Sequence, residues 1–232
     1  MFRFALQNLL SRPLRTALAV LGLAVAVAGM VGLFSIAGGI DRLVRSTFEQ
    51  IPGMLVQQRG APVPIFSALP SGWQSEIESL PGVHAAVPEV FSRVNRIDGK
   101  SILSPPRLLL GVEIAGRHRL RYDVFHEHLL PGGRFLEPQD QGERNCVLSR
   151  QIAEEFDKQV GDTLEVNGVT LTIVGLYHCG SLILDVNILA DIDVVRDMSR
   201  VDRETVSCFY VEQVEDVAPV ELAERIERHF TG

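Results

Sequence analysis

Between Thr16 and Ile40 the chain has no charged side chain, and between Met1 and Ile40 it has no acidic one. The first absence leaves twenty-five residues, TALAVLGLAVAVAGMVGLFSIAGGI, bracketed by Arg12 and Arg15 before and by Asp41, Arg42 and Arg45 after. At about 1.5 Å per residue a helix of this length reaches about 37 Å, enough to cross a hydrocarbon core of about 30 Å with some tilt. The second absence leaves Arg3, Arg12, Arg15 and the amino terminus as the only charges ahead of the run. Positive charge beside a first span favours cytoplasmic retention. The expected orientation is therefore amino terminus inside, with residues from about 45 onward on the far side. Arg42 and Arg45 oppose this, and Asp41 and Glu49 beside them count little in the rule. A cleaved signal peptide would need an apolar core of about 7 to 15 residues. The Ala-x-Ala pattern at Ala26 and Ala28 falls in mid-run, so the reading is a retained anchor.

Other absences exclude function classes. Cys146, Cys179 and Cys208 lie 33 and 29 residues apart and form no C-x-x-C pair, so there is no zinc pattern. One disulfide with one free thiol, or three buried small hydrophobes, both fit this count. The formal charge is −7 for the chain and, without the three arginines of residues 1–40, −10 for residues 41–232. An acidic domain without Lys/Arg clusters is a poor partner for nucleic acid. There is no Gly-x-Ser-x-Gly elbow and no paired-carboxylate logic. Gly99-Lys100-Ser101 resembles the end of a P-loop, but Val94 stands where that motif needs glycine. The following SILSPPRLLL is extended and holds two prolines, so the segment reads as a turn. His118, His126 and His128 crowd one region. His-x-His on a strand would put two rings on one face, and His178-Cys179 could extend the group. No third ligand is evident, so they read as surface histidines, and no cofactor or metal is expected on this chain.

Residues 2–10, FRFALQNLL, form a short amphipathic helix with Phe2, Leu6, Leu9 and Leu10 near one face, read as an interfacial anchor in contact with lipid. Pro13 then suits a helix start. Ala19, Gly22, Ala26 and Gly29 recur at helical spacing, with Gly32 close by, which suggests packing on other membrane helices. The helix is expected to continue through IDRLVRSTFEQ and to end at Pro52-Gly53. The domains predicted are 1–12, a cytoplasmic amphipathic helix; 13–48, a transmembrane helix with an external extension; and 49–232, the outer domain.

That outer domain alternates short strands and helices. MLVQQ is a strand; Ser71 and Gln74 suggest a capping box ahead of a helix lined by Trp73, Ile77 and Leu80. GVHAAVPEVFSRVNRID and SILSPPRLLLGVE read as strands joined near Asp98-Gly99. DTLEVNGVTLTIVGLY reads as a hairpin turning at Asn167-Gly168. NCVLS, NILA and TVSCFYVEQV read as strands, and RQIAEEFDK and DIDVVRDM as helices. A last helix over Pro219–Phe230 places Leu222, Ala223, Ile226 and Phe230 on one face and pairs Glu221/Arg225 and Glu224/Arg228 on the other. The polar stretch Arg117–Gly142 carries no clear period. Without long parallel crossovers, the fold class is α+β.

Several segments in order resemble the amino-terminal part of an ABC-transporter permease of the MacB/FtsX-like family, whose relatives include efflux and lipoprotein-releasing permeases. They are Asn8-Leu9, Arg12, Arg15-Thr16 and Leu21-Gly22 at the start; LLLGVEI; GGRFLEPQD; and VLSRQIAEEFDKQVGDTLEVNGVTLTIVGLY, with Val160-Gly161-Asp162 before the hairpin and Val174-Gly175 closing it. Gly161 there suits a helix terminus. The resemblance implies a two-lobed periplasmic core domain: a porter-like α+β lobe built from both ends, and a β-rich lobe inserted at roughly 107–185. It also implies an inner-membrane permease that is not itself catalytic. Its partners would be a separate P-loop ATPase that binds ATP, a second permease copy or homologue, and a periplasmic adaptor. The family has four membrane helices, so this chain would be the amino-terminal portion of a longer permease. The competing class is a single-span, membrane-anchored periplasmic adaptor or sensor without transport activity.

Overall fold

The computed structural model describes residues 13–48 and 53–231. The expected amphipathic helix of residues 2–10, with Arg3 and Arg12, lies outside the described residues. The chain divides into two compact units at Glu49/Gln50. The first holds one helix, α1 (Pro13–Phe48). Its Pro13–Gly39 stretch is long and apolar enough to cross a membrane, with none of its apolar window buried inside the protein.

The second unit mixes helices and strands. From β1 (Met54–Val56) the chain passes β2 (Leu69–Pro70) and α2 (Trp73–Ser79) to the long β3 (Val83–Val94). Next come β4 (Arg96–Ile97), β5 (Lys100–Ser101), β6 (Arg107–Val112), and two single turns, α3 (Ile114–Arg117) and α4 (Val124–Glu127). β7 (Asn145–Ser149), α5 (Arg150–Phe156), β8 (Thr163–Val166), β9 (Val169–Tyr177) and β10 (Asn187–Asp191) follow. The chain then runs through α6 (Ile192–Ser199), β11 (Thr205–Val206), β12 (Cys208–Gln213) and α7 (Pro219–Thr231). Ten strands join in one sheet, ordered β1-β12-β3-β6-β10-β7-β9-β8-β4-β5, while β2 and β11 pair separately. This is the α+β architecture that the pattern predicts.

The long β3 does two jobs. Val83–Glu89 pairs with β12, and Glu89–Val94 pairs with β6. Only Asn95 separates β3 from β4, whose Ile97 sits opposite Val166 of β8. The sheet therefore closes on itself through β3/β4, β6, β10, β7, β9 and β8, which removes exposed edges from that part. Asn167 seals the closure: its Oδ1 accepts from Asn95 N (2.8 Å) and Arg96 N (3.1 Å), and its Nδ2 donates to Arg93 O (2.9 Å). Both hairpin turns expected from the sequence are present, with positive φ at Asp98, Gly99, Asn167 and Gly168.

Strand alternation sorts the apolar residues onto two faces. Leu109, Leu148, Leu171 and Ile188 belong to one buried cluster. Their neighbours Leu110, Val147 and Leu189 belong to another, covered by Ile114, Val124, Phe125, Phe135 and Leu136 of the β6–β7 connection. That connection is the stretch without period in the sequence. Its apolar residues follow the barrel's outer face rather than a helix or strand repeat. α2 and α7 pack together through Trp73 and Phe230, whose rings stack at 4.2 Å, with Ile77, Leu222 and Ile226 buried. Ala223, expected on that apolar face, is exposed. Glu221 pairs with Arg225 at 2.8 Å, whereas Arg228 donates to the Glu224 carbonyl.

Two local expectations are corrected. Gly72, not Ser71, caps α2, without a side-chain bond. The Gln74 side chain is drawn away instead, donating to Ala86 O (3.1 Å) and Glu113 Oε2 (3.2 Å). α5 ends at Asp157 in the left-handed region (φ 52°), and Gly161 (φ 94°) shapes the later turn into β8.

Candidate functional site

In α1, Gly22, Ala26 and Gly29 are exposed, and a Cβ added at Gly22, Gly29 or Gly32 would meet nothing within 4 Å. Arg15 lies exposed in the first turns of the helix. Among the positions singled out from the sequence, the Ala19 side chain, Arg3 and Arg12 lie outside the described residues. Among the described residues of the helix's own unit, nothing covers these glycines.

The folded unit holds a buried charged cluster that the sequence did not single out. Arg117, at the end of α3, and Glu89, in mid-β3, are both 4 % exposed and form an ion pair. Arg117 Nη1 also donates to Asp123 Oδ2 at 3.0 Å. Asp123 in turn caps α4, accepting from Phe125 N (2.9 Å) and His126 N (3.4 Å). The guanidinium lies 5.7 Å from the ring centres of both Phe125 and Tyr210. Cys208 Sγ donates to Glu89 Oε2 at 3.5 Å. Burial pushes the Glu89 carboxyl above the usual range, with Arg117 opposing it. Burial also acts against the Arg117 charge, but the Asp123 and Glu89 carboxylates more than offset it and hold the guanidinium protonated. The Cys208 thiol that meets Glu89 is buried, and burial pushes it well above its ordinary range. The cluster ties the β6–β7 connection to β3 and β12.

A second clasp sits within the GGRFLEPQD segment. Asp140, 1 % exposed, accepts from Arg134 Nη2 (2.8 Å), Asn145 Nδ2 (2.7 Å) and Glu137 N (2.8 Å). The Arg134 hydrogen bond is the main cause holding the Asp140 carboxyl down at about 2. Arg134 N donates to Val174 O at 2.9 Å. A Cβ on Gly133 would come 2.6 Å from Gly175 Cα, so the two backbones can meet only as glycines. Beside this crossing the β7–β9 register slips, from Cys146↔Ile173 to Val147↔Gly175. Gly133, Arg134, Val174 and Gly175, far apart in sequence, thus form one contact.

The histidines have individual partners. His118 Nε2 lies 3.0 Å from Leu136 O, His128 Nδ1 2.9 Å from Val124 O, and His178 Nδ1 3.0 Å from Asp185 Oδ2. The His126 ring lies against Phe135, with 5.3 Å between centroids. His126 belongs to α4 and His128 to its C-terminal cap, so the expected strand geometry for His-x-His does not hold. Among the described residues, no three His, Cys, Asp or Glu side chains converge to hold a metal. Cys146, Cys179 and Cys208 are free and buried. Burial pushes the Cys146 and Cys179 thiols up to about 12 and the Cys208 thiol well up. Gly99-Lys100-Ser101 is the β4–β5 hairpin, with the Lys100 ammonium 5.5 Å from the Phe156 ring centre.

Among the described residues, these ion pairs and close backbone contacts tie the β6–β7 connection to β3, β9 and β12. The MacB-like periplasmic core domain family matches residues 16–229. The macrolide export ATP-binding/permease protein MacB of Rhodopirellula baltica is 27% identical over 175 residues. That match covers 70% of this chain and spans 25% of the relative's length. The periplasmic region of MacB from Actinobacillus actinomycetemcomitans shares the fold, with a TM-score of 0.54 at 15% identity, over 78% of this chain and 86% of that one. The extracellular domain of the noncanonic ABC-type transporter YknZ from Gram-positive bacteria overlaps with a TM-score of 0.49 at 14% identity, over 70% of this chain and 83% of that one. With a match that runs from the apolar helix to the last helix, this chain belongs to the MacB-like periplasmic core domain family of ABC-transporter permeases.

Proposed function

We propose that the chain is the amino-terminal portion of a permease subunit whose motion is driven by a separate P-loop ATPase. The family match over residues 16–229 carries this reading, because it takes in both α1 and the folded unit. On this reading the chain performs no chemistry. ATP binding and hydrolysis on the partner move α1, and the outer domain moves with it to expel or extract a substrate.

The connection suits such a role. α1 continues to Phe48, beyond the apolar run that ends at Ile40, and Gly53 is already hydrogen-bonded to Tyr210. Only four residues lie between, and a chain spans at most about 3.6 Å per residue, so a large displacement of one end must pull the other. The amino terminus would lie in the cytoplasm, in the inner membrane, with residues from about 45 onward in the periplasm. A second permease copy or homologue would pack on Gly22 and Gly29, and a periplasmic adaptor would meet the outer domain. The β-rich lobe of roughly 107–185 would be the part displaced.

Co-purification tests the proposal. The chain, tagged in its source cell and extracted in mild detergent, should bring down a P-loop ATPase in stoichiometric amount. Its absence, with the chain itself folded and membrane-bound, would leave an anchored adaptor as the better account. A reporter inserted after residue 60 should be active outside the cytoplasm, and cytoplasmic activity would overturn the orientation.

A further inference from the structure

Arginines recur at every second position early in the β6–β7 connection, as Arg117, Arg119 and Arg121, and the fold sets acids from a different element against each. Arg117 meets Glu89 of β3. Arg119 Nη2 lies 3.0 Å from Glu78 Oε1 of α2. Arg121 Nη1 lies 3.3 Å from Glu215 Oε1, just past β12, and the Arg121 amide donates to Glu212 Oε2 of β12 at 3.1 Å. His84 Nε2 of β3 lies 3.3 Å from the Arg119 carbonyl and 3.6 Å from Glu212 Oε2.

The backbone does not fasten this segment to its surroundings. The amides of Arg117, His118, Arg119 and Leu120 donate to the carbonyls of Glu113, Ile114, Gly116 and Arg117, so these bonds close on the segment itself. Among the described residues, the polar contacts of residues 117–121 with α2, β3 and β12 all involve ionisable side chains. Those contacts differ in their access to water. Arg117 and Glu89 are both 4 % exposed, so dissolved ions screen their attraction little. Arg119 and Glu78 are 49 % and 30 % exposed, and Arg121 and Glu215 are 42 % and 87 % exposed. Pairs that open to water are weak and are screened by salt.

We propose that residues 117–121 form a two-part latch whose outer part opens with ionic strength. Arg117 is the pin, which holds at any salt concentration. Arg119 and Arg121 are the catch, which dissolved ions release from Glu78 and Glu215 while the domain stays folded. Opening frees this part of the β6–β7 connection from α2 and from the end of β12, with Arg117 as the pivot. Beyond the pivot Asp123 still caps α4, so Val124 and Phe125 keep their places in the second buried cluster. This inference does not depend on the transport reading.

The test is hydrogen–deuterium exchange of the full chain in non-ionic detergent, read by mass spectrometry on a peptide spanning residues 117–123. Exchange is compared in about 0.01 M and about 0.5 M NaCl, where the screening length falls from about 30 Å to a few ångströms. The native peptide should exchange at least about threefold faster at high salt, while peptides from β3 and β12 do not change. Glu78→Gln combined with Glu215→Gln should exchange at low salt as the native chain does at high salt, and should then respond little to salt. Glutamine at 78 keeps an acceptor for the Ala86 amide, which lies 3.3 Å from Glu78 Oε1, and Glu215 is exposed, so this variant should fold. Glu154→Gln, which removes an exposed pair with Arg150 on α5, should behave as native. Salt-independent exchange in the native peptide would overturn the proposal, as would a full salt response in the double variant. Equal acceleration of the β3 and β12 peptides would also overturn it, because salt would then be loosening the whole domain.

Discussion

The amide of Gly53 donates a 3.1 Å hydrogen bond to the hydroxyl of Tyr210, 157 positions away. Tyr210 is in β12, and its ring faces the Arg117 guanidinium. The first described residue after α1 is thus connected, through one side chain, to the buried charges of the domain. A Cβ on Gly53 would come 2.5 Å from Tyr210 Cζ and 2.8 Å from the Val211 carbonyl. Tyr210→Phe should therefore cost about 1 kcal/mol, the net value of one hydrogen bond. Gly53→Ala should cost more, because a backbone carbonyl cannot rotate aside. Thermal unfolding followed by circular dichroism would check the order; a Gly53→Ala protein as stable as Tyr210→Phe would contradict it.

Arg117 neutralises two buried carboxylates. Arg117→Met should destabilise the domain by about 3–5 kcal/mol, since it strands Glu89 and Asp123 without a counter-charge. Adding Glu89→Gln should recover part of that loss, because the group most strongly desolvated no longer ionises. Urea midpoints of the single and double variants measure the recovery. A double variant no better than Arg117→Met would show that the charges are not coupled.

Asp140 predicts an acid limb of stability with a defined sign. Its folded pKa of about 2 lies below the ordinary 3.8. The stabilisation is present above the unfolded pKa and is lost as pH falls toward 2, and it amounts to about 2 kcal/mol. Asp140→Asn should be less stable than native at pH 6, with the difference shrinking toward pH 2.5. A gap that stays constant from pH 6 to pH 2.5 would rule out the Asp140–Arg134 pair as its source.

The exposed small residues of α1 predict assembly rather than insertion. Gly22→Ile with Gly29→Ile should leave the chain in the membrane fraction but weaken crosslinking between permease subunits. Among the described residues a Cβ at either position meets nothing within 4 Å, so stability of the folded domain should not change. Undiminished crosslinking would show that another face of the helix makes the contact.

Much of this was readable locally. The uncharged run from Thr16 to Ile40 became α1, Asn167-Gly168 became the β8–β9 turn, and the amphipathic residues from Pro219 onward became α7. These depend on periods and turn chemistry within a few residues. Arg117 and Asp123 gave no such signal, since their partners lie on β3 and α4 and their apolar neighbours follow the curve of a barrel. The motifs GGRFLEPQD and Val174-Gly175 were visible as resemblances, but their contact, Gly133 against Gly175, was not.

The sequence by itself determined what neighbours along the chain can settle: an apolar helix, its flanking charge, the hairpins, the mixed class and the family. Tertiary structure alone decided the closure of β4 on β8, the burial of the Glu89–Arg117–Asp123 cluster and the contact of Gly133 with Gly175. Each of the last three depends on which residues face one another across strands or packed elements. Strand register and core packing set that across intervals of up to about seventy positions, where no local period reaches.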